Sequence, residues 1–249
     1  MLTTVLFLLI MGSGATIAWG SVTVPTKGTL YTYNFSTKKW EKTKNTFTAT
    51  YSSNGKLKKR TFKYGSDKST TTYTWKGDYL KKVKSSYSGE NPFTRTYTYK
   101  NGKPKKIKSS NYTTTYKWKG NKGTATEKAG KETYKYKLTV KNGRLSKESD
   151  AKSTYKTTYS YYQRGLRKSY TYTSKSYKYK VTYGRNGFVK KTSEGSSWSS
   201  SYNWKKKEVI ITYKEKGKVV SKEKWKFTKT KKVSRAWNCD AYGMSVSLF

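Results

Sequence analysis

The most regular feature of the chain is an alternation of aromatic or β-branched residues with Thr and Lys, which recurs in short runs from residue 47 onward. Residues 71–108 show it most clearly, with alternating Thr and Tyr, a Gly-containing turn, and a returning run that holds a basic pair and then Val83 or Ile107. Period-two alternation bounded by turn residues is typical of half-buried β-strands. Each such unit is therefore predicted to be a β-hairpin.

Turn signals follow one another at a period of about 22 residues, which indicates an internal repeat. They lie at Asn54-Gly55, Lys76-Gly77, Asn101-Gly102, Gly120 to Gly123, Asn142-Gly143, Arg164-Gly165 and Asn186-Gly187. Asn and Gly tolerate the positive φ angles of a tight hairpin turn. The pattern predicts an all-β protein, an antiparallel meander of about eight hairpin repeats that forms an elongated, twisted or spiral sheet.

The chain divides into four segments by this pattern. Residues 1–20 are apolar and then small, which is typical of a signal peptide, with an uncleaved anchor as the alternative. Residues 21–46 are a lead-in or degenerate first hairpin, residues 47–228 are the hairpin repeat domain, and residues 229–249 are a C-terminal capping strand or tail. The leader predicts a secreted or cell-wall-associated protein. Because no second hydrophobic span follows it, no membrane insertion of the mature chain is expected.

An outer-membrane barrel is a further hypothesis, because the chain ends in an alternating stretch that finishes at Phe249. The alternation, however, puts Ser at the positions in phase with Phe249, and the lysines are expected on both faces of the strands. On the expectation of lysine on both faces, a lipid-facing surface is disfavoured and this hypothesis is set aside.

Several repeats share a Tyr- or Thr-rich strand, a turn with Asn-Gly, and a following basic pair or single Lys. They are YTYKNGKPKK (97–106), ATYSSNGKLKK (49–59), LTVKNGRLSK (138–147) and VTYGRNGFVKK (181–191). These segments resemble the YD repeat of bacterial secreted Rhs-type and wall-associated proteins, and are similar to MORN-like hairpin repeats. The Asp that names the YD repeat is replaced here by Lys100, Ser52 or Lys141. The resemblance implies a continuous spiral or curved sheet that acts as a shell or spacer, and it implies no site residues.

Composition favours a folded sheet whose packing depends on aromatic residues. The formal charge of +42, with 55 Lys and Arg against 13 Asp and Glu, would by itself favour disorder. The 25 Tyr and 8 Trp, however, are residue types suited to a pleated, half-buried surface. Their rings bury a large area while the hydroxyl or N–H group keeps a polar partner.

A basic pair after most of the turns is the strongest candidate for a binding site. Its members are Lys58, Lys59, Lys81, Lys82, Lys105, Lys106, Arg167, Lys168, Lys190 and Lys191. Repeated on every second strand, the pairs predict a ladder with a spacing of about 9 to 10 Å, which suits an anionic polymer. The predicted partner is an extracellular polyanion, namely wall teichoic acid, an acidic glycan or DNA. For any single pair, a solvated face that resists aggregation is the alternative.

The competing hypothesis is a structural or adhesive surface protein that uses Tyr and Lys for attachment or self-association without a specific ligand. Enzymatic activity is not expected, because the chain has no His and its one Cys, Cys239, has no His partner. No metal, cofactor or small-molecule substrate is predicted. Cys239 is interpreted as a packed thiol, with an intermolecular disulfide as the alternative. Glu148 and Asp150, amid Lys147 and Lys152, are interpreted as a local salt-bridge cluster.

Overall fold

A computed structural model describes residues 21–163 and 165–240, whose strands form one antiparallel sheet of 18 strands. The strands are β1 (Val22–Asn34), β2 (Lys39–Tyr51), β3 (Leu57–Tyr64), β4 (Asp67–Lys76), β5 (Tyr79–Tyr87), β6 (Phe93–Lys100), β7 (Lys103–Ser109), β8 (Thr113–Lys119), β9 (Lys122–Ala129), β10 (Glu132–Lys141), β11 (Arg144–Asp150), β12 (Tyr155–Tyr161), β13 (Arg167–Ser174), β14 (Lys178–Tyr183), β15 (Val189–Glu194), β16 (Trp198–Trp204), β17 (Glu208–Glu215) and β18 (Lys218–Val233). Each strand pairs with the next along the chain, and β1 also pairs with β18. The sheet is therefore a closed barrel.

Closure corrects the prediction of an elongated, twisted or spiral sheet, and with it the resemblance to YD or MORN-like arrays. The all-β antiparallel meander is confirmed, with 18 strands in place of about eight hairpins. The seam between β1 and β18 runs from the pair Val22 and Val233 to the pair Thr32 and Glu223. Local turn signals specify each hairpin, but they do not specify whether the first and last strands meet.

The predicted segment boundaries fall inside this barrel. The lead-in at 21–46 belongs to the hairpin of β1 and β2, and the boundary at residue 47 lies within β2. The repeat domain and the start of the tail join in β18, which ends at Val233. The signal peptide at 1–20 and the last part of the tail, 241–249, lie outside the described residues.

A β-bulge recurs just after the Gly-containing turns, where two residues of one strand oppose one residue of its partner. In β5 the extra residue is Lys81, between Leu80 and Lys82. The equivalent extra residues in the other repeats are Lys58, Lys105, Ser146, Lys168 and Lys190. The first member of most predicted basic pairs is therefore the bulge residue.

An aromatic side chain satisfies the carbonyl group that precedes several of these bulges. The indole N–H of Trp75 donates to the carbonyl oxygen of Leu57 at 2.9 Å. Trp118, Tyr161 and Trp204 donate in the same way to Pro104, Leu145 and Val189. A buried carbonyl beside an irregular ladder thus obtains a donor. This bond explains why Trp or Tyr recurs two or three residues before the turns.

The inward face of the wall carries the apolar core, which is densest where the barrel closes. Phe47 of β2 contacts Trp225 of β18 with ring centroids 5.4 Å apart, and Phe62 of β3 lies 5.9 Å from the same ring. Val24 and Val209 are fully buried beside them. Packing across β17, β18, β1, β2 and β3 therefore supports the seam.

After β18, residues 234–240 lie across the end of the barrel that carries the turns at Gly55, Gly77, Gly102, Gly143, Gly165 and Gly187, here called the tail end. The side chain of Asn238 pairs with the backbone of Arg167, accepting from its N–H at 2.8 Å and donating to its carbonyl at 2.9 Å. The buried carboxylate of Asp240 accepts from the Leu80 N–H at 3.0 Å and from the Tyr99 hydroxyl at 2.8 Å. The tail thus joins hairpins that are distant in sequence.

Cys239 belongs to this tail and is fully buried. Its Sγ lies 3.4 Å from the carbonyl oxygen of Gly165, and burial raises the pKa of the thiol. An intermolecular disulfide would require the tail to leave the barrel, so the geometry favours the packed thiol.

The tail contacts the turn at Gly55 but leaves space beside Gly143. Alanine substitutions at these two glycines, which have similar φ angles, are therefore expected to cost different amounts of folding free energy. A Cβ on Gly55 (φ +82°) would lie 1.6 Å from the carbonyl oxygen of Arg235, whereas a Cβ on Gly143 (φ +73°) meets nothing within 4 Å. Gly143→Ala is expected to cost about 1 to 2 kcal/mol of left-handed strain. Gly55→Ala is expected to cost at least about 3 kcal/mol, because the tail must also move. Denaturant melts measure both, and equal losses would show that the tail does not rest on Gly55.

Candidate polyanion-binding surface

The outward face of the barrel wall consists mainly of Lys, Thr and Ser side chains. Cross-strand partners share a face, so the register shows which side chains lie side by side. One row crosses β8 to β14 as Lys117, Thr124, Lys137, Ser149, Lys156, Thr173 and Lys178. A second crosses β4 to β10 as Thr74, Lys82, Thr96, Lys108, Thr113, Lys128 and Thr133. These two sets are called the lysine rows.

In the lysine rows a hydroxyl residue separates successive lysines. Lysines in one row are therefore two strands apart, about 9 to 10 Å. Like charges directly opposite one another destabilise a sheet, and this alternation avoids most such pairs. Direct Lys–Lys pairs occur beside turns, as at Lys63 and Lys68 or Lys119 and Lys122.

Of the predicted basic residues, Lys82 is the one that belongs to a lysine row, because the predicted pairs are staggered along the wall. Lys82 is joined through Thr96 to Lys108, and not to Lys106 of the next predicted pair. Lys59 is likewise joined through Thr72 to Lys84. The predicted ladder thus runs obliquely around the barrel, because successive hairpins are offset along the wall. The exposed members of the predicted set are Lys58, Lys59, Lys81, Lys82, Lys105, Lys106, Lys168, Lys190 and Lys191.

Arg167 is the exception, and its assignment to the surface is corrected. It is 2% exposed, and its guanidinium lies 5.0 Å from the ring of Tyr159 and 5.6 Å from the ring of Tyr170. The reason is the bulge: Arg167 opposes Tyr161 as Leu80 opposes Trp75, so it occupies the inward position before the bulge residue Lys168. In this repeat the basic pair therefore lies one residue earlier relative to the bulge: Arg167 precedes the bulge residue, and Lys168 is the bulge residue.

Acidic side chains are concentrated on the inward face. All 13 Asp and Glu residues lie within the described part of the chain, and among them Glu208 is the acid at an outward strand position. The inward acids, placed by their cross-strand partners, are Glu41, Asp67, Glu127, Glu132, Glu148, Asp150, Glu194, Glu215 and Glu223. The wall therefore separates a basic outside from an inside that carries most of the carboxylates.

Many of the inward acids lie toward the end opposite the tail, where tyrosine hydroxyls donate to them. Tyr87 donates to Asp67 at 3.2 Å, Tyr213 donates to Glu223 at 3.1 Å, and Tyr134 donates to Glu132. Exposed rings at the same end are Tyr64, Tyr87, Tyr134 and Trp198, which face inward by alternation, and Tyr177, whose ring lies 5.9 Å from the inward ring of Tyr172. Sequence analysis missed this acidic and aromatic rim.

The predicted salt-bridge cluster around Glu148 and Asp150 is also corrected. Both carboxylates are on the inward face, opposite Leu138 and Tyr136, while Lys147 points outward opposite Thr139. Asp150 instead accepts hydrogen bonds from the hydroxyl of Thr154 and the N–H of Tyr155. Burial raises the pKa of Glu148, and the Glu127 carboxylate raises it further.

No family model and no curated protein matches the chain. Among solved structures, one similar chain is a porin-like protein from Bacteroides uniformis. The two are 13% identical, the alignment covers 82% of this chain and 96% of that one, and the TM-score is 0.34. No function is carried over from this likeness.

The prediction that the mature chain does not insert into a membrane is corrected. That prediction rested on the absence of a second hydrophobic span, and a closed barrel can cross a bilayer with strands that need no such span. The lysine rows lie on the outward face of the wall, and the inward face carries most of the carboxylates. In the described residues, no helix has the length and hydrophobicity that a bilayer crossing needs.

The raised pKa of Glu148 predicts a pH-dependent gain in stability for Glu148→Gln. A carboxyl group whose pKa is higher in the folded state loses stability as the pH rises from its unfolded value, near 4.5, through its folded value. The variant is therefore expected to match the wild type at pH about 4 and to be more stable at pH about 7. Denaturant midpoints at both pH values measure the difference. Glu208→Gln is the control, since Glu208 pairs with Lys205 at 3.1 Å and should give no such gain.

Proposed function

We propose that the protein binds an extracellular polyanion along the lysine rows of the outer wall. The observation that supports this most strongly is the separation of charge across the wall. The rows offer ammonium and hydroxyl groups to whatever surrounds the barrel, while nine of the 13 acids face inward. A surface whose positive charges have so few neighbouring carboxylates attracts anionic polymers.

The ion pairs support the same proposal. Among the described residues, the salt bridges are Lys56 with Asp78 and Lys205 with Glu208. Neither involves a lysine of the two rows, so the rows remain available for an external anion. The regular spacing of about 9 to 10 Å allows one flexible polymer to contact several lysines in succession.

Wall teichoic acid, an acidic glycan and DNA share the required repeated anionic groups. The competing adhesive function needs exposed aromatic rings, whereas most Tyr and Trp side chains here face inward and serve the core or the bulges. For location, we propose that the protein lies in or beyond the cell envelope. A porin-like barrel is compatible with that location.

Removing one complete row should weaken polyanion binding more than removing the same number of scattered charges. The variant changes Lys117, Lys137, Lys156 and Lys178 to Gln, and its control changes the exposed Lys63, Lys100, Lys152 and Lys216 to Gln. Because each lost phosphate contact flattens the plot of log K against log salt by roughly 0.9, the row variant should flatten it by up to about 3.6. Titrations with duplex DNA, heparin and teichoic acid at several salt concentrations measure this slope.

The two variants also separate the competing explanations. Equal losses from both would show that only net charge matters and that the rows are a solvated face. Absence of wild-type binding to all three polymers at about 150 mM salt would remove the proposal. Binding to surfaces that persists at high salt would favour the adhesive function instead.

A further inference from the structure

The outer wall departs from its Lys and Thr composition where β1, β2 and β18 meet. Tyr31 pairs with Lys224, and Tyr33 pairs with Trp40. Since the neighbouring pair of Leu30 and Trp225 faces the core, these side chains point outward. Aromatic rings therefore interrupt the polar outer surface next to the seam.

The rings form one continuous patch. Tyr33 contacts Phe35 edge-on at 5.0 Å and Trp40 at 5.2 Å between ring centroids. Phe35, in the turn between β1 and β2, is 47% exposed. Tyr31, Tyr33, Phe35 and Trp40 are called the outer aromatic patch. It presents open ring surface to solvent although no core lies on this side of the wall.

Lysines surround the patch closely. The ammonium of Lys224 lies 4.3 Å from the centre of the Trp40 ring, and those of Lys222 and Lys226 lie 5.1 Å from the rings of Tyr33 and Tyr31. Lys42, the cross-strand partner of Tyr31, is exposed on the adjacent β2. Rings and cations are thus interleaved, which is the arrangement by which proteins hold single-stranded nucleic acids: cations follow the backbone while bases stack on rings.

We propose that the outer aromatic patch binds single-stranded nucleic acid by stacking unpaired bases. This rests on the proposed polyanion function and selects one class of polymer from it. Duplex DNA keeps its bases stacked within the helix, and teichoic acid has no bases. The charge complementarity comes from Lys222 and Lys226, and the selectivity comes from the rings.

The barrel is expected to fold without the ring of Phe35, the most exposed member of the outer aromatic patch. Most other aromatic side chains face inward, where they pack in the core or bond the carbonyls beside the bulges. Phe35 does neither, because it lies in a turn and contacts the outward ring of Tyr33. Its substitution should therefore leave the barrel intact, which circular dichroism checks.

The test uses the full chain with a fluorescently labelled oligo-dT of about 20 nucleotides, a duplex of equal length, and heparin. Phe35→Leu removes the ring but keeps an apolar side chain, and it should weaken oligo-dT binding about tenfold, within the range of one stacked base. Phe35→Tyr keeps the ring and should retain binding. Neither variant should alter the salt slope, since no charge changes. Tyr134→Ala, an equally exposed ring on the inward face, should have no effect.

Three results would overturn the inference. If Phe35→Leu binds oligo-dT like the wild type, bases do not stack on the patch, while the polyanion proposal stands. If heparin binding falls as much as oligo-dT binding, the rings contact sugars and not bases. If the wild type binds none of the three probes, the polyanion proposal itself fails.

Discussion

The pairing of β1 with β18 is the constraint on which the rest of the structure depends. Ten residue pairs across this seam join the first and last strands of the meander. Without it the sheet would have two long edges with unpaired backbone groups, which favour association with other chains. With it, every strand has two neighbours, and the wall has an inside and an outside.

Once the barrel is closed, strand alternation sorts the side chains of a strongly charged chain. A net charge of +42 opposes compaction, but the lysines of the rows lie outside, separated by Thr and Ser and in contact with water. Carboxylates and aromatic rings lie inside, where tyrosine hydroxyls donate to several carboxylates. The few aliphatic residues are concentrated near the seam, supported by the rings of Phe47, Phe62 and Trp225. The tail then fastens the turns at one end through Asn238 and Asp240.

The hairpins could be predicted from the sequence because their signals are local. Asn101 and Gly102 adopt φ values of +52° and +71°, as an Asn-Gly hairpin turn requires. Closure could not be predicted, because nothing in β1 identifies β18, some 200 residues away, as its partner. Arg167 was misplaced because bulges shift the alternation by one residue and leave no clear sequence signal. The inward acids did leave a signal, since Glu132 is in phase with Tyr134 and Glu215 with Tyr213.

The seam can be tested directly by a disulfide across it in a Cys239→Ser background. Thr29 and Lys226 are outward cross-strand partners, so their Cα atoms lie within the distance that a disulfide can bridge. The double variant Thr29→Cys with Lys226→Cys should form an intramolecular disulfide in the folded protein, seen as faster migration of the oxidised chain in a non-reducing gel. A pair placed at Thr29 and Lys180, on strands that are not neighbours, should form none. Failure of the first pair to crosslink, or equal crosslinking of both, would contradict a closed barrel.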